Sequence, residues 1–133
     1  MPFKWAYSID GSDPIIQTFT VKDAVVLSAG ELVTLDAGEV DAAASGDSTL
    51  VGIAVGAVDN TDDGLTARCI MNPGAVYYVE DDANARKVGD RLDIAAGGLT
   101  VAADSNHDLI VVRDSAASEP TYVAFNGTHF LQI

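Results

Sequence analysis

"STLVGIAVGAV", residues 48–58, is the most apolar run of the chain, and it holds Gly52 and Gly56 at the Gly-x-x-x-Gly spacing. Three readings compete for it: a membrane helix with a packing groove, a catalytic turn opened by Gly46-Asp47, or a strand inside a soluble domain. A bilayer-crossing helix needs about 20 consecutive apolar residues. Asp47 and Asp59 close this run far short of that. The membrane reading fails, and the glycine spacing loses its meaning as a helix-packing motif.

Outside the run, alternation prevails over helical periodicity. "IIQTFTV" (15–21), "ELVTLD" (31–36), "TARCIM" (66–71), "VYYV" (76–79), "RLDI" (91–94), "DLIVV" (108–112) and "TYVAF" (121–125) read as short strands rich in β-branched and aromatic residues. Turn clusters such as "DNTDDG" (59–64), "NPG" (72–74) and "AAGG" (95–98) separate them. This is the pattern of an all-β sandwich or barrel. Two short segments, 39–45 and 81–87, could each form a turn or two of helix.

The composition agrees. The 133 residues are enough for one domain with its own core, and 48% of them are apolar. Sixteen aspartates against four glutamates favour turns over helix interiors. Twenty acids against seven bases give a charge of −13, which repels nucleic acid, and no basic cluster or aromatic-basic surface is apparent. Cys69 stands alone, so neither an intramolecular disulfide nor a cysteine zinc site can form; between apolar neighbours it reads as a core residue. The N-terminus lacks the apolar stretch of a signal peptide.

The chain also repeats itself. "GELVTLDAG" (30–38) and "GDRLDIAAG" (89–97) match at an offset of 59, which also lays "TLVGI" (49–53) on "DLIVV" (108–112). Residues 15–133 thus read as one β domain of two pseudo-repeated strand units, about 30–79 and 89–131. Val33 and Leu35, like Leu92 and Ile94, lie two apart and face one side of a strand, toward the core.

Several constellations could carry chemistry. Gly46-Asp47-Ser48 and Asp104-x-x-His107 resemble two blocks of the GDSL hydrolases, and a serine, a base and an orienting carboxylate are the types a triad needs. That family's oxyanion-hole blocks and its helices have no counterpart, and the repeat sets 46–48 against 105–107 as equivalent turns. "DNTDDG" (59–64) and "EDDAN" (80–84) gather oxygen ligands suited to calcium, but an EF-hand's twelfth-position Glu is replaced by Ile70. Solvated hairpin loops explain both, and no metal or other cofactor is implied. His107 and His129 lack ligand spacing. A soluble calcium- or carbohydrate-binding β-module is the alternative to the reading reached below.

The N-terminus places Phe3, Trp5 and Tyr7 at alternate positions, followed by Ile9; on a strand the three aromatics share one face. Either they cover the open end of the domain's own core, or residues 1–14 form an arm, hinged at "DGSDP" (10–14), that adds to a partner.

Together, "GELVTLDAGEV", "STLVGIAVGAV", "DDG", "ARCIMNPGAVYYVE" and "VGDRLDI" resemble the capsid cement, or head decoration, proteins of tailed bacteriophages, over roughly residues 25–112. The C-terminal stretch 119–133 and the aromatic N-terminus are not part of the likeness. The resemblance implies a small β-barrel or β-tulip domain, assembled as a homotrimer. It implies a mechanical role on the outer surface of the virion, after synthesis in the host bacterial cytoplasm. There such proteins clamp subunits of the major capsid protein on the expanded head. On this reading the arm residues Phe3, Trp5, Tyr7 and Ile9 contact the capsid, by strand addition or pocket insertion.

Overall fold

A computed structural model of the chain describes residues 2–44, 46–47, 49–62, 64–72, 74–80, 84–95, 98, 100–103 and 108–126. In chain order the strands are β1 (Phe3–Ser8), β2 (Ile16–Thr20), β3 (Val26–Leu27), β4 (Leu32–Asp36), β5 (Glu39–Ala42), β6 (Leu50–Ala54), β7 (Val58–Asp59), β8 (Thr66–Ile70), β9 (Ala75–Val79), β10 (Arg91–Ala95), β11 (Thr100–Ala103), β12 (Leu109–Val111) and β13 (Thr121–Phe125). No helix occurs among the described residues. The all-β expectation holds, and the strands read from alternation are found within a residue or two of their expected ends.

Residues 39–42, expected as part of a helical turn, are a strand instead. Ala37 and Gly38 both take positive φ, 51° and 83°, which makes a tight two-residue hairpin that folds β5 back on β4 with Asp36 opposite Glu39. Val40 is then carried into the interior, fully buried.

Two antiparallel sheets face each other. The larger has the order β1-β9-β13-β12-β10-β11, the smaller β2-β8-β6-β4-β5, and a short β3-β7 pair packs on the core of the smaller one. Both large sheets are open, so the barrel expectation is corrected. The smaller sheet does curl until its edges touch through one parallel bridge, Val21 with Val40, but no ladder closes it. Its inward side holds Val21, Leu27, Val33, Val40, Val51, Ala54, Ala67 and Cys69. The other core lies between the sheets and includes Phe3, Leu32, Leu50, Ile53, Tyr77, Leu92, Ile94, Val123 and Phe125.

β6 therefore has a core on each side, which is why "LVGIA" is apolar throughout and wholly buried. Its phase shifts at a bulge: Thr34 pairs with Leu50 but Val33 with Gly52, leaving Val51 extra on β6.

The strand orders β5-β4-β6-β8 and β11-β10-β12-β13 run in parallel through the two sheets. The approach to β4 and the approach to β10 share their bonding. Gly30 and Gly89 both have positive φ, and their amides donate to Ala54 O and Val111 O. Glu31 Oε1 accepts from the Ser28 amide at 2.9 Å, and Asp90 Oδ2 from the Lys87 amide at 2.8 Å. The registers Val33–Gly52 and Leu92–Leu109 set Gly52 against Leu109, not against Val111 as the offset of 59 implies. Val33 and Leu35 point to the inner core of the smaller sheet, whereas Leu92 and Ile94 point to the core between the sheets.

Candidate functional site

The N-terminal residues are an edge strand of the domain rather than an arm extending from it. β1 pairs along β9, with Phe3 opposite Val79 and Trp5 opposite Tyr77. Phe3 is fully buried, and its amide donates to Gly30 O at 3.0 Å. Trp5 meets Tyr77 edge-on at 6.2 Å, and Tyr77 lies 5.8 Å from Phe125. Phe3 and Trp5 thus cover the domain's own core. A bulge between Trp5 and Tyr7 then resets the phase, so Tyr7 falls beside Val76 and leaves the face that Trp5 occupies. The expectation that all three aromatics share a face fails at that bulge, which alternation alone cannot signal. Tyr7 and Ile9 are exposed, at 41% and 69%.

The expected hinge, residues 10–14, is tied down by one buried side chain. Asn72 Nδ2 donates to Ser8 Oγ, Ser12 Oγ and Asp13 O, while its Oδ1 accepts from the Ile15 amide. Asp10 accepts from both the hydroxyl and the amide of Ser12, and these bonds hold its carboxyl below the usual carboxylate range. The Ile9 amide donates to Gly74 O and the Met71 amide to Ile15 O, which ties both ends of this segment to the 71–74 stretch. Tyr7, Ile9, Ile15 and Ile16 are the exposed apolar side chains of this segment.

A second surface was invisible in the sequence. On the outward side of the larger sheet, Lys4, Tyr78 and Tyr122 stand in one cross-strand row. The tyrosine rings lie 5.4 Å apart at 31°. Lys4 Nζ sits 5.8 Å from the Tyr78 ring centre and also bonds Glu80 at 3.1 Å; the Arg113 guanidinium lies 4.1 Å from that of Tyr122. An aromatic-basic surface, expected to be absent, is built here from residues 4, 78, 113 and 122. Only strand pairing brings them together, so no local motif could announce it.

The remaining candidates are placed as follows. Ser48, Asp104, His107 and His129 lie outside the described residues. Of the hydrolase-like block, Gly46 has φ 89° and donates to Asp108 Oδ1, and Asp47 accepts from the Ala44 amide, which is turn bonding. In the 59–64 loop, Asp59 accepts from the amide and hydroxyl of Thr61, and buried Asn60 ties Val21 O, Lys22 O and the Leu65 amide together. The Thr61 hydroxyl bond keeps the Asp59 carboxyl below its ordinary range. Among the described residues no group of three or more His, Cys, Asp or Glu side chains could hold a metal ion. Cys69 is buried, and desolvation pushes its thiol up to about 11, so it stays protonated.

No protein-family model matches the chain, and no curated protein matches it. Among solved structures the chain is similar to the N base of the head fiber gp8.5 of bacteriophage phi29. The TM-score is 0.57 at 21% identity, over 86% of this chain and 98% of that one. At this identity the likeness is one of fold, and it spans nearly the whole of both chains.

Proposed function

We infer that the chain is a structural protein of a tailed-phage virion, mounted on the head. The observation that carries this reading is the fold it shares with a phage head-fiber base over 86% of its length. The motif resemblance to head decoration proteins, in the segments from Gly30 to Ile94, points the same way from the sequence.

Within that reading the chain acts as a decoration protein. It assembles as a homotrimer, binds the outer surface of the expanded head and holds neighbouring major capsid protein subunits together. Phe3 and Trp5 anchor β1 in the domain's core, which leaves Tyr7 and Ile9 to make contact. A net charge of −13 suits a protein outside the shell, which has no need of DNA affinity. A ligand that binds only the mature lattice stabilises it by mass action over many sites.

The test is co-sedimentation of the purified protein with expanded heads and with unexpanded proheads of the phage that encodes it, followed by heat challenge of the heads. The expected result is binding to expanded heads alone and a higher temperature of DNA release. Failure to bind expanded heads would sink the reading. Tyr7→Ser with Ile9→Ser should weaken binding without unfolding the domain, since both side chains are exposed.

A further inference from the structure

The two sheets carry matching ladders, and one row of positions has opposite fates in them. In the smaller sheet Leu32, Ile53 and Ile70 stand side by side and are buried in the core between the sheets. The same ladder positions of the larger sheet are Arg91, Ile110 and Ala124, and the row continues through Val76 to Tyr7. That row points away from the core. Beside it runs the Lys4–Tyr78–Tyr122 row, with Arg113 over its end.

This face differs from the rest of the molecule in charge. It carries Lys4, Arg91 and Arg113, three of the seven basic residues, in a chain with twenty acids. Its carboxylates among the described residues are subdued: Asp93 is 5% exposed and Glu80 is paired with Lys4. Its centre is aliphatic, with Ile110 and Ala124 half-buried and Val76 fully buried; its flanks are tyrosine, and Arg91 and Arg113 are exposed at its rim. Tyrosine and arginine around a partly apolar centre are the residue types that dominate protein contact energies.

We propose that the outer face of the larger sheet docks the protein onto an acidic protein surface. Arg91 and Arg113 meet carboxylates at the rim, and Tyr7, Tyr78 and Tyr122 make the apolar contact. The proposal rests on the reading of the chain as a head-bound virion protein and names the face and the charge of the partner. Charge complementarity selects this occupant. A chain at −13 repels an acidic partner on the whole, so a face that gathers three of its seven basic residues orients the docking as well as strengthening it. The same overall charge disfavours a nucleic acid on this face.

The experiment measures binding of the full chain to expanded heads of its phage, at low and high salt, for the wild type, Arg113→Glu, Arg113→Gln and Arg68→Glu. Arg68 is exposed on the smaller sheet, so Arg68→Glu makes the same charge change elsewhere. Melting temperatures of all variants confirm folding. Expected are wild-type binding that weakens with salt, a loss of about tenfold or more in Arg113→Glu with a smaller loss in Arg113→Gln, and no loss in Arg68→Glu. Equal binding by Arg113→Glu and Arg68→Glu overturns the face while leaving the virion reading standing. Absence of wild-type binding overturns both. An Arg113→Glu variant that loses self-association in sedimentation, or loses a bound single-stranded oligonucleotide, while still binding heads assigns the face to another occupant and overturns the proposal.

Discussion

Gly52 and Ile70 approach each other so closely that a β-carbon on Gly52 would stand 1.7 Å from the Ile70 carbonyl oxygen. The obstacle is backbone, which cannot swing aside as a side chain could. Gly52→Ala should therefore force β6 away from β8 and cost about 3 kcal/mol or more, at or above the upper range for overpacking. Gly56 has open space where its β-carbon would be, so Gly56→Ala should stay within about 0.5 kcal/mol of the wild type. Urea denaturation of both variants checks the contrast.

The hydroxyl of Tyr77 is also close to that missing β-carbon, at 2.9 Å, and it has no hydrogen-bond partner among the described residues. Its burial pushes the phenol's pKa well above the ordinary value, chiefly through desolvation, with Cys69 adding to the effect. An unpaired buried hydroxyl costs free energy that a hydrogen in its place does not, so Tyr77→Phe should raise stability by about 1 kcal/mol. Tyr77→Phe retains the ring contacts with Trp5 and Phe125. A fall in melting temperature would contradict this account.

Asp108 is fully buried and bonds both sheets. Its Oδ1 accepts from the Gly46 amide at 2.9 Å, in the connection between β5 and β6, and its Oδ2 from the Ile94 amide at 3.1 Å, in β10. Asp108→Ala strips both amides of their acceptor and should cost about 1–3 kcal/mol for each. Asp108→Asn keeps one carbonyl oxygen and should fall between the wild type and Asp108→Ala in thermal unfolding.

Glu31 gives a pH dependence of definite sign. Burial raises its carboxyl above the ordinary 4.5; the Ser28 amide partly offsets that rise, and Asp41 adds to it. The folded state thus holds this proton more tightly than the unfolded chain. Its contribution to stability is full below 4.5 and is lost as pH rises through the folded value. Glu31→Gln keeps an acceptor for Ser28 without the charge. The melting temperature of Glu31→Gln relative to wild type should therefore climb as pH rises from 4.5 through the raised folded value toward neutrality. A difference that is flat in pH would refute it.

Much of the architecture could be read from residue order because its causes are local. Alternation located β2, β4, β8, β10, β12 and β13, and the apolar run that holds "LVGIA", too short to cross a membrane, is a strand, though its core on each side is visible only in the fold. What escaped the sequence depends on events between strands. The bulge at Ala6 turned Tyr7 outward, and the one at Val51 placed Gly52 against β8. The curl of the smaller sheet stopped at a single bridge instead of closing. The Lys4–Tyr78–Tyr122 row requires positions from three strands distant along the chain, so no window of sequence contains it. β5 was masked by alanines and a glutamate whose helical propensity yields to the tight Ala37-Gly38 turn.

The route of the chain through the two sheets has a consequence for how the protein comes to exist. β1 precedes every strand of the smaller sheet but belongs to the larger one, where its only ladder partner among the described residues is β9. Lys4 must wait for Glu80, 76 positions later, and β9 in turn for β13. Such non-local pairings charge the entropy of loop closure before they return any contact energy, which slows folding. On the ribosome the first aromatic strand therefore emerges long before its partner, with Phe3 and Trp5 bare. β13, the last strand among the described residues, then takes the other edge of β9, the strand that holds β1.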